Sequence, residues 1–175
     1  MEEEPKKKLK IDLSTLELAL DNHDSDIEFY LDTETGDILE ITEDTRLELH
    51  DFLDETEVDD EDPAAVIQAL KEEEEIELLE LYQIDTDTSN RYLEITSDDP
   101  RAGYRAMQSF IETLENRALQ NHLANAIRAK GAFRNFKNTL SRYPKELESW
   151  SAYKSALDRQ SALRWLELNG LEPLS

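Results

Sequence analysis

Six cations and no acid lie between residues 128 and 145. They are Arg128, Lys130, Arg134, Lys137, Arg142 and Lys145, in the run AIRAKGAFRNFKNTLSRYPK. A stretch of this kind can hold a phosphate or an acidic peptide. With residues 132–142 helical, Phe133, Phe136 and Leu140 share one face. Arg134, Lys137 and Asn138 then fall mostly on another, with Arg134 and Asn138 one turn apart. The helix starts after Gly131, where free backbone N–H groups would meet an anion beside Lys130 and Arg134. Arg128, Lys130, Gly131, Arg134, Lys137 and Arg142 are therefore the candidate binding residues. The bland reading of the same run is strong. The phenylalanine spacing suits a buried stripe better than base-stacking platforms, and the cations could merely pair with acids elsewhere in the chain.

Other chemistry has less support. Asp32, Glu34, Gly36, Glu40 and Glu43 fall in one window, DTETGDILEITE, that loosely resembles a calcium loop. Its glycine comes one place early, and the segment reads better as a hairpin. The three histidines, His23, His50 and His122, include no pair at i, i+4 spacing. There is no glycine-rich phosphate loop and no serine elbow. No catalytic residue, metal site or cofactor is expected. Trp150, Tyr153 and Trp165 form an aromatic group whose helical spacing suits a core better than a binding cage.

The elements that must position these residues follow from patterning. Residues 1–10 read as a charged, flexible tail. Leu13, Leu16 and Leu20 mark a helix, with Ser14 and Glu17 as a capping box and Leu13 and Leu18 as a staple. Ile27, Phe29 and Leu31 alternate with Glu28, Tyr30 and Asp32, and TETG turns the chain into DILEI, which makes a hairpin. Residues 43–62 form an acidic insert, with a short helix over 45–54 and a solvated connector after it. Asp62 and Pro63 start a helix that should run to about Tyr82, weakened locally by KEEEE. RYLEIT supplies a third strand. From Asp99 the pattern is helical. Met107, Phe110, Ile111 and Leu114 mark one helix, and Leu119, Leu123, Ala126 and Ile127 a second that ends with Gly131 as its C-cap. Phe133, Phe136 and Leu140 mark a third, broken at Pro144, and Trp150, Tyr153 and Leu157 begin a fourth. The fold class is α+β: an N-terminal helix and a small antiparallel sheet, hairpin plus one strand, then a mostly helical half. One domain is expected over residues 11–175.

Composition sets the partners. The chain has 175 residues, 35% of them charged, no cysteine and a formal charge of −23. Without cysteine there is no disulfide and no thiolate. No run approaches ~18 apolar residues, so no membrane span is expected. The opening MEEEPKKKLK has no apolar region after its charges and is not a signal peptide. A soluble cytoplasmic protein is expected. Residues 1–99 hold 35 acids and 7 lysines and arginines, a net of −28, whereas residues 100–175 hold 7 and 12, a net of +5. The whole chain would repel nucleic acid at long range, so only a local basic surface could overcome that.

YLDTETGDILEI, RYLEI, AIRAKGAFRNFKNTL and the late WLELNGL together resemble uncharacterised protein family 0158, a set of small bacterial proteins. The resemblance covers residues 10–171, and Gly131 to Lys137 is its most specific part. The chain departs from the family pattern in the acidic insert and in Ala129, where a small glycine is expected. The resemblance implies a bacterial cytoplasmic protein and implies no activity.

The leading expectation is a non-enzymatic binding or regulatory module that meets a nucleic acid or an acidic protein through residues 128–145. One alternative is an acidic interaction module, like a nucleic-acid mimic, that binds a basic protein through residues 1–99. The other is a small carboxylate-dependent hydrolase or transferase. That would need a concave pocket holding acids of perturbed pKa.

Overall fold

The computed structural model describes residues 4–22, 24–96 and 101–174. His23 and Asp99 lie outside the described residues. The chain divides into two compact units, residues 1–96 with 169–175, and residues 97–168. Each unit buries an apolar cluster of its own. One is built around Ile41, Leu70 and Leu81 and the other around Phe110, Phe136 and Trp150.

The first unit begins with β1 (Lys7–Leu9), which pairs in parallel with β5 (Leu171–Pro173). The expected charged tail therefore ends before Lys7. Leu9 and Leu171 are buried, and their burial draws the lysine-rich segment into a ladder. Helix α1 (Leu13–Leu20) follows, capped by Asp12, whose carboxylate accepts from Thr15 N–H at 3.2 Å. The expected box at Ser14 does not form, because the helix starts one residue before it. Leu18 is 71% exposed, so there is no staple.

β2 (Ile27–Asp32), β3 (Ile38–Thr42) and β4 (Tyr92–Ile95) make the antiparallel sheet, in the order β3-β2-β4. The α+β class holds. Alternation sends Phe29 and Leu31 to one face and Glu28, Tyr30 and Asp32 to the other. The second face is covered, not solvated. β3 runs directly into α2 (Glu43–Glu55), with Thr42 as both last strand residue and N-cap. The short helix expected over 45–54 is α2, which takes 13 residues of the acidic insert. Thr45 and Leu49 are buried, and 56–62 alone connects α2 to the next helix.

Asp62 caps α3 (Pro63–Glu72), its carboxylate accepting from Ala64 N–H, as the sequence predicts. The long helix to Tyr82 is corrected to two. The chain breaks at Glu73–Glu75, where Glu74 is left-handed at φ 60°, and resumes as α4 (Ile76–Asp85). Four adjacent carboxylates repel in a straight helix, and the break splays them into solvent.

Two arginines hold this acid-rich unit. Arg91 grips Asp32 through Nε and Nη2 at 2.9 and 2.8 Å, and its guanidinium lies over the Tyr92 ring. Its Nη1 also reaches Glu34 at 3.3 Å. Arg46 binds Glu28 at 2.6 Å and Asp85 at 3.3 Å, joining β2, α2 and α4. The Asp32 side chain is 7% exposed. Burial alone would raise its pKa, but hydrogen bonds from Arg91 and from Glu34 N–H, together with the Arg91 charge, outweigh burial and hold it below the usual aspartate value. Asp32 belongs to the window that resembled a calcium loop, and its carboxylate is already committed to Arg91.

Arg91→Met should leave Asp32 buried without its partner and cost about 2–3 kcal/mol in urea unfolding at pH 7. The wild-type advantage is present above the unfolded aspartate pKa. It should fade as pH falls from about 4 through the lower folded value, so the two proteins converge in acid. An Arg91→Met protein as stable as wild type at pH 7 would contradict this role.

Candidate functional site

The second unit is four helices: α5 (Ala102–Thr113), α6 (Arg117–Arg128), α7 (Ala132–Leu140) and α8 (Pro144–Leu168). Apolar residues at i, i+3, i+4 and i+7 turn inward from α5 as predicted, with Met107, Phe110 and Ile111 buried and Leu114 partly so. Asn116 caps α6 by accepting from Ala118 and Leu119 N–H, both at 3.1 Å. α8 is continuous from Pro144, so the fourth helix starts six residues before Trp150 and carries on past Leu157. Trp150, Phe110, Phe136 and Tyr153 form one aromatic cluster. The Phe136–Trp150 centroids are 4.7 Å apart and edge-on, and the Phe110–Trp150 centroids 5.3 Å. Trp150 and Tyr153 are thus core, as their spacing implied.

The candidate residues lie along one helical hairpin. Arg128 is the last residue of α6, and Lys130 sits in the connection. Gly131 is the N-cap of α7 with φ 80°, and Arg134 and Lys137 follow on that helix. Arg142 occupies the turn before α8. Gly131 is therefore not the C-cap of α6. That helix ends three residues earlier, with Ala129 extended as its C-cap. The left-handed residue instead redirects the chain into α7, and Asn135 locks the bend. Its Nδ2 donates to the carbonyls of Ala126 and Lys130, both at 3.2 Å. Gly131 has no side chain to cap α7, so the first N–H groups of that helix receive no side-chain acceptor.

Arg128, Lys130, Arg134, Lys137 and Arg142 are all exposed. Among the described residues none forms an ion pair with an acid of its own unit. The buried side of α7 is Phe136 and Leu140, at 1% and 0% exposure. Phe133, expected beside them, is 49% exposed. Its ring lies against α5 at Gly103, where an added Cβ would sit 2.7 Å from Phe133 Cζ. The buried stripe expected of three residues is thus two: Phe133 shares their face but sits on the first turn of α7, where its ring reaches Gly103 of α5 and stays half exposed.

A shallow groove of about 210 Å³ runs between α5 and α6. Tyr104, Gln108, Ile111, Glu112, Ala124, Ile127 and Arg128 line it. Patterning did not single out Tyr104. The available signal was an aromatic residue three before Met107 and seven before Ile111, which extends the same apolar stripe to the first turn of α5. Arg46 and Arg91 were missed as well. Their signal was scarcity, as Lys71 is the one other base between residues 11 and 100.

Catalytic candidates gain little. The groove holds one carboxylate, Glu112. Among the described residues the carboxylates with shifted pKa are in the other unit. Asp32 and Asp87 are lowered, and Glu80 is raised, first by burial and then by repulsion from Glu77, Asp37 and Asp32. His50 is a surface partner of Asp54 at 3.4 Å, and His122 is exposed. Among the described residues no group of three or more potential ligands gathers to hold a metal. No helix among them is long and apolar enough to cross a membrane.

A profile described as uncharacterised protein family UPF0158 matches residues 63–175, and the chain belongs to that family. The match begins at α3, so α1, the hairpin and α2 lie outside it. The chain is also similar to UPF0158 protein PA5073 of Pseudomonas aeruginosa. They are 29% identical over 165 residues, which cover 94% of this chain and 86% of the relative. No solved structure matches at a significant level.

Gly131→Ala tests the hairpin. No atom lies within 4 Å of the added Cβ, so its cost comes from the left-handed backbone alone. Stability should fall by about 1 kcal/mol, read by urea unfolding. A loss several times larger would mean that the site is crowded rather than merely left-handed.

Proposed function

We propose that the protein is a cytoplasmic, non-enzymatic binding module that meets an anionic partner, a nucleic acid or an acidic protein, through Arg128, Lys130, Gly131, Arg134, Lys137 and Arg142. One observation carries this reading. Five exposed cations along a single helical hairpin have no acid partner among the described residues of their unit, while Arg46 and Arg91 of the acidic unit are both tied into ion pairs. Cations needed for the fold would be paired or covered. These are neither, and the hairpin is held instead by Phe136, Leu140 and the Asn135 hydrogen bonds. Phe136 anchors the helix that presents the charge. Gly131 sets the direction of α7 and leaves its first N–H groups open to an acceptor.

The acidic unit supports a second reading, docking of a basic protein. Asp44, Glu48, Asp51 and Glu55 stand exposed along α2, in a unit with 34 acids and 7 lysines and arginines. Carboxylate chemistry has less support, since the groove between α5 and α6 holds a single acid.

The test is fluorescence polarisation with labelled RNA and DNA oligomers and with an acidic peptide, at about 50 mM salt, where phosphate contacts are strong. Arg134→Glu/Lys137→Glu should lose at least ~10-fold in affinity for whichever anion binds, with an unchanged unfolding midpoint. If no anion binds, or the reversal leaves affinity unaltered, the basic hairpin is not the site.

A further inference from the structure

We infer that the ligand of this basic hairpin is single-stranded nucleic acid, held by stacking of a base on Phe133 while phosphates meet the neighbouring cations. The inference rests on the anion-binding reading above and names its ligand class.

Phe133 is the starting observation. A phenylalanine 49% exposed beside a full aromatic core costs apolar surface that the fold does not recover. Its place is specific. The ring rests on α5 at the glycine, where any side chain would intrude. Gly103 therefore supports the ring without covering it. The residue after it, Tyr104, lines the shallow groove together with Arg128. Two partly exposed aromatic rings thus border the first turn of α5, with Arg128 on one side and Arg134 adjoining Phe133 in the chain.

Aromatic faces beside unpaired cations suit single strands above other anions. Base stacking tolerates any sequence because every base has a π-face, and cations track the backbone phosphates. An acidic peptide would use the charges and leave Phe133 idle. A duplex keeps its bases stacked on each other and offers no ring to Phe133. The groove fits the same ligand. At about 210 Å³ it lies below the ~300–1,000 Å³ of sites that enclose a whole small molecule. It can take one ring laid in from a polymer. The single-strand contact is also consistent with the formal charge of −23, which disfavours the denser charge of a duplex.

The experiment uses the full chain and three labelled probes of equal length: an oligothymidylate, an abasic strand of the same charge, and a duplex. Wild type should bind oligothymidylate about 10-fold more tightly than the abasic strand, and more tightly than duplex. Phe133→Ala should remove that preference and leave the abasic strand unchanged. Phe133→Trp should keep it, with the added tryptophan emission quenched by oligothymidylate beyond any change in wild type. Both variants are checked by urea unfolding, and the tryptophan variant keeps the test valid if alanine unfolds the hairpin. Equal affinity for thymidylate and abasic strands overturns stacking. If Arg134→Glu/Lys137→Glu still abolishes that binding, the anion-binding reading survives without it. Binding of the acidic peptide or of phosphatidylserine vesicles, with no binding of oligothymidylate, overturns the nucleic-acid assignment. Loss of all anion binding overturns both.

Discussion

The grip of Arg91 on Asp32 is the interaction on which the acidic unit depends. Asp32 is the last residue of β2, at the mouth of the hairpin turn, and Arg91 immediately precedes β4. The pair joins two strands that are 59 residues apart in sequence. Around it the turn closes through Gly36 N–H to the Asp32 carbonyl at 2.7 Å, and Thr33 N–H reaches the Arg91 carbonyl at 2.8 Å. Gly36 is obligatory there. Its φ is 85°, and a Cβ would collide with the Lys10 carbonyl oxygen. A unit so rich in carboxylates repels itself when compact. Of its few cations, Arg91 goes where a buried acid would otherwise be stranded, and Arg46 bridges two part-exposed acids, Glu28 and Asp85.

The helical unit solves a different problem. Its core is aromatic and aliphatic, and its turns are fixed by Asn116 and Asn135. That construction uses none of the five candidate cations, which stand at the surface with no ion pair among the described residues. An arginine in the acidic unit is structural because it is paired. An arginine on α7 is available because its helix is anchored on the opposite face. That contrast, more than the number of cations, is what gives residues 128–142 a functional reading.

Much of this was legible beforehand. Period-two alternation in IEFYLD and period-3.6 spacing around Met107 report burial, and burial selected those elements. Asp62–Pro63 is a local signal and acted locally. Errors arose where a tertiary partner decided the outcome. β1 forms because Leu171 offers a strand on which Leu9 can be buried, and three residues within a lysine run carry no sign of that. The pairing of the Glu28, Tyr30 and Asp32 face was not legible because its counter-charges, Arg46 and Arg91, come from distant segments. Gly131 was legible as a left-handed residue but not as the start rather than the end of a helix. The break before it is set by Asn135, four residues on. The charged positions of the candidate site were visible in the run itself. The exposure of Phe133 was not, because its spacing matches that of Phe136 and Leu140 and only its place at the end of α7, against Gly103 of α5, leaves the ring half open.

The central claim is that the cations of residues 128–142 are a ligand surface and not part of the fold. The most direct test is the salt dependence of binding to a single-stranded oligomer. The logarithm of affinity is followed against the logarithm of salt concentration. Each phosphate contact on a single strand contributes a slope of about −0.7, so engagement of most of these cations predicts a slope near −3. A slope near zero, or no measurable binding at low salt, would contradict the account and return these residues to the solvated surface.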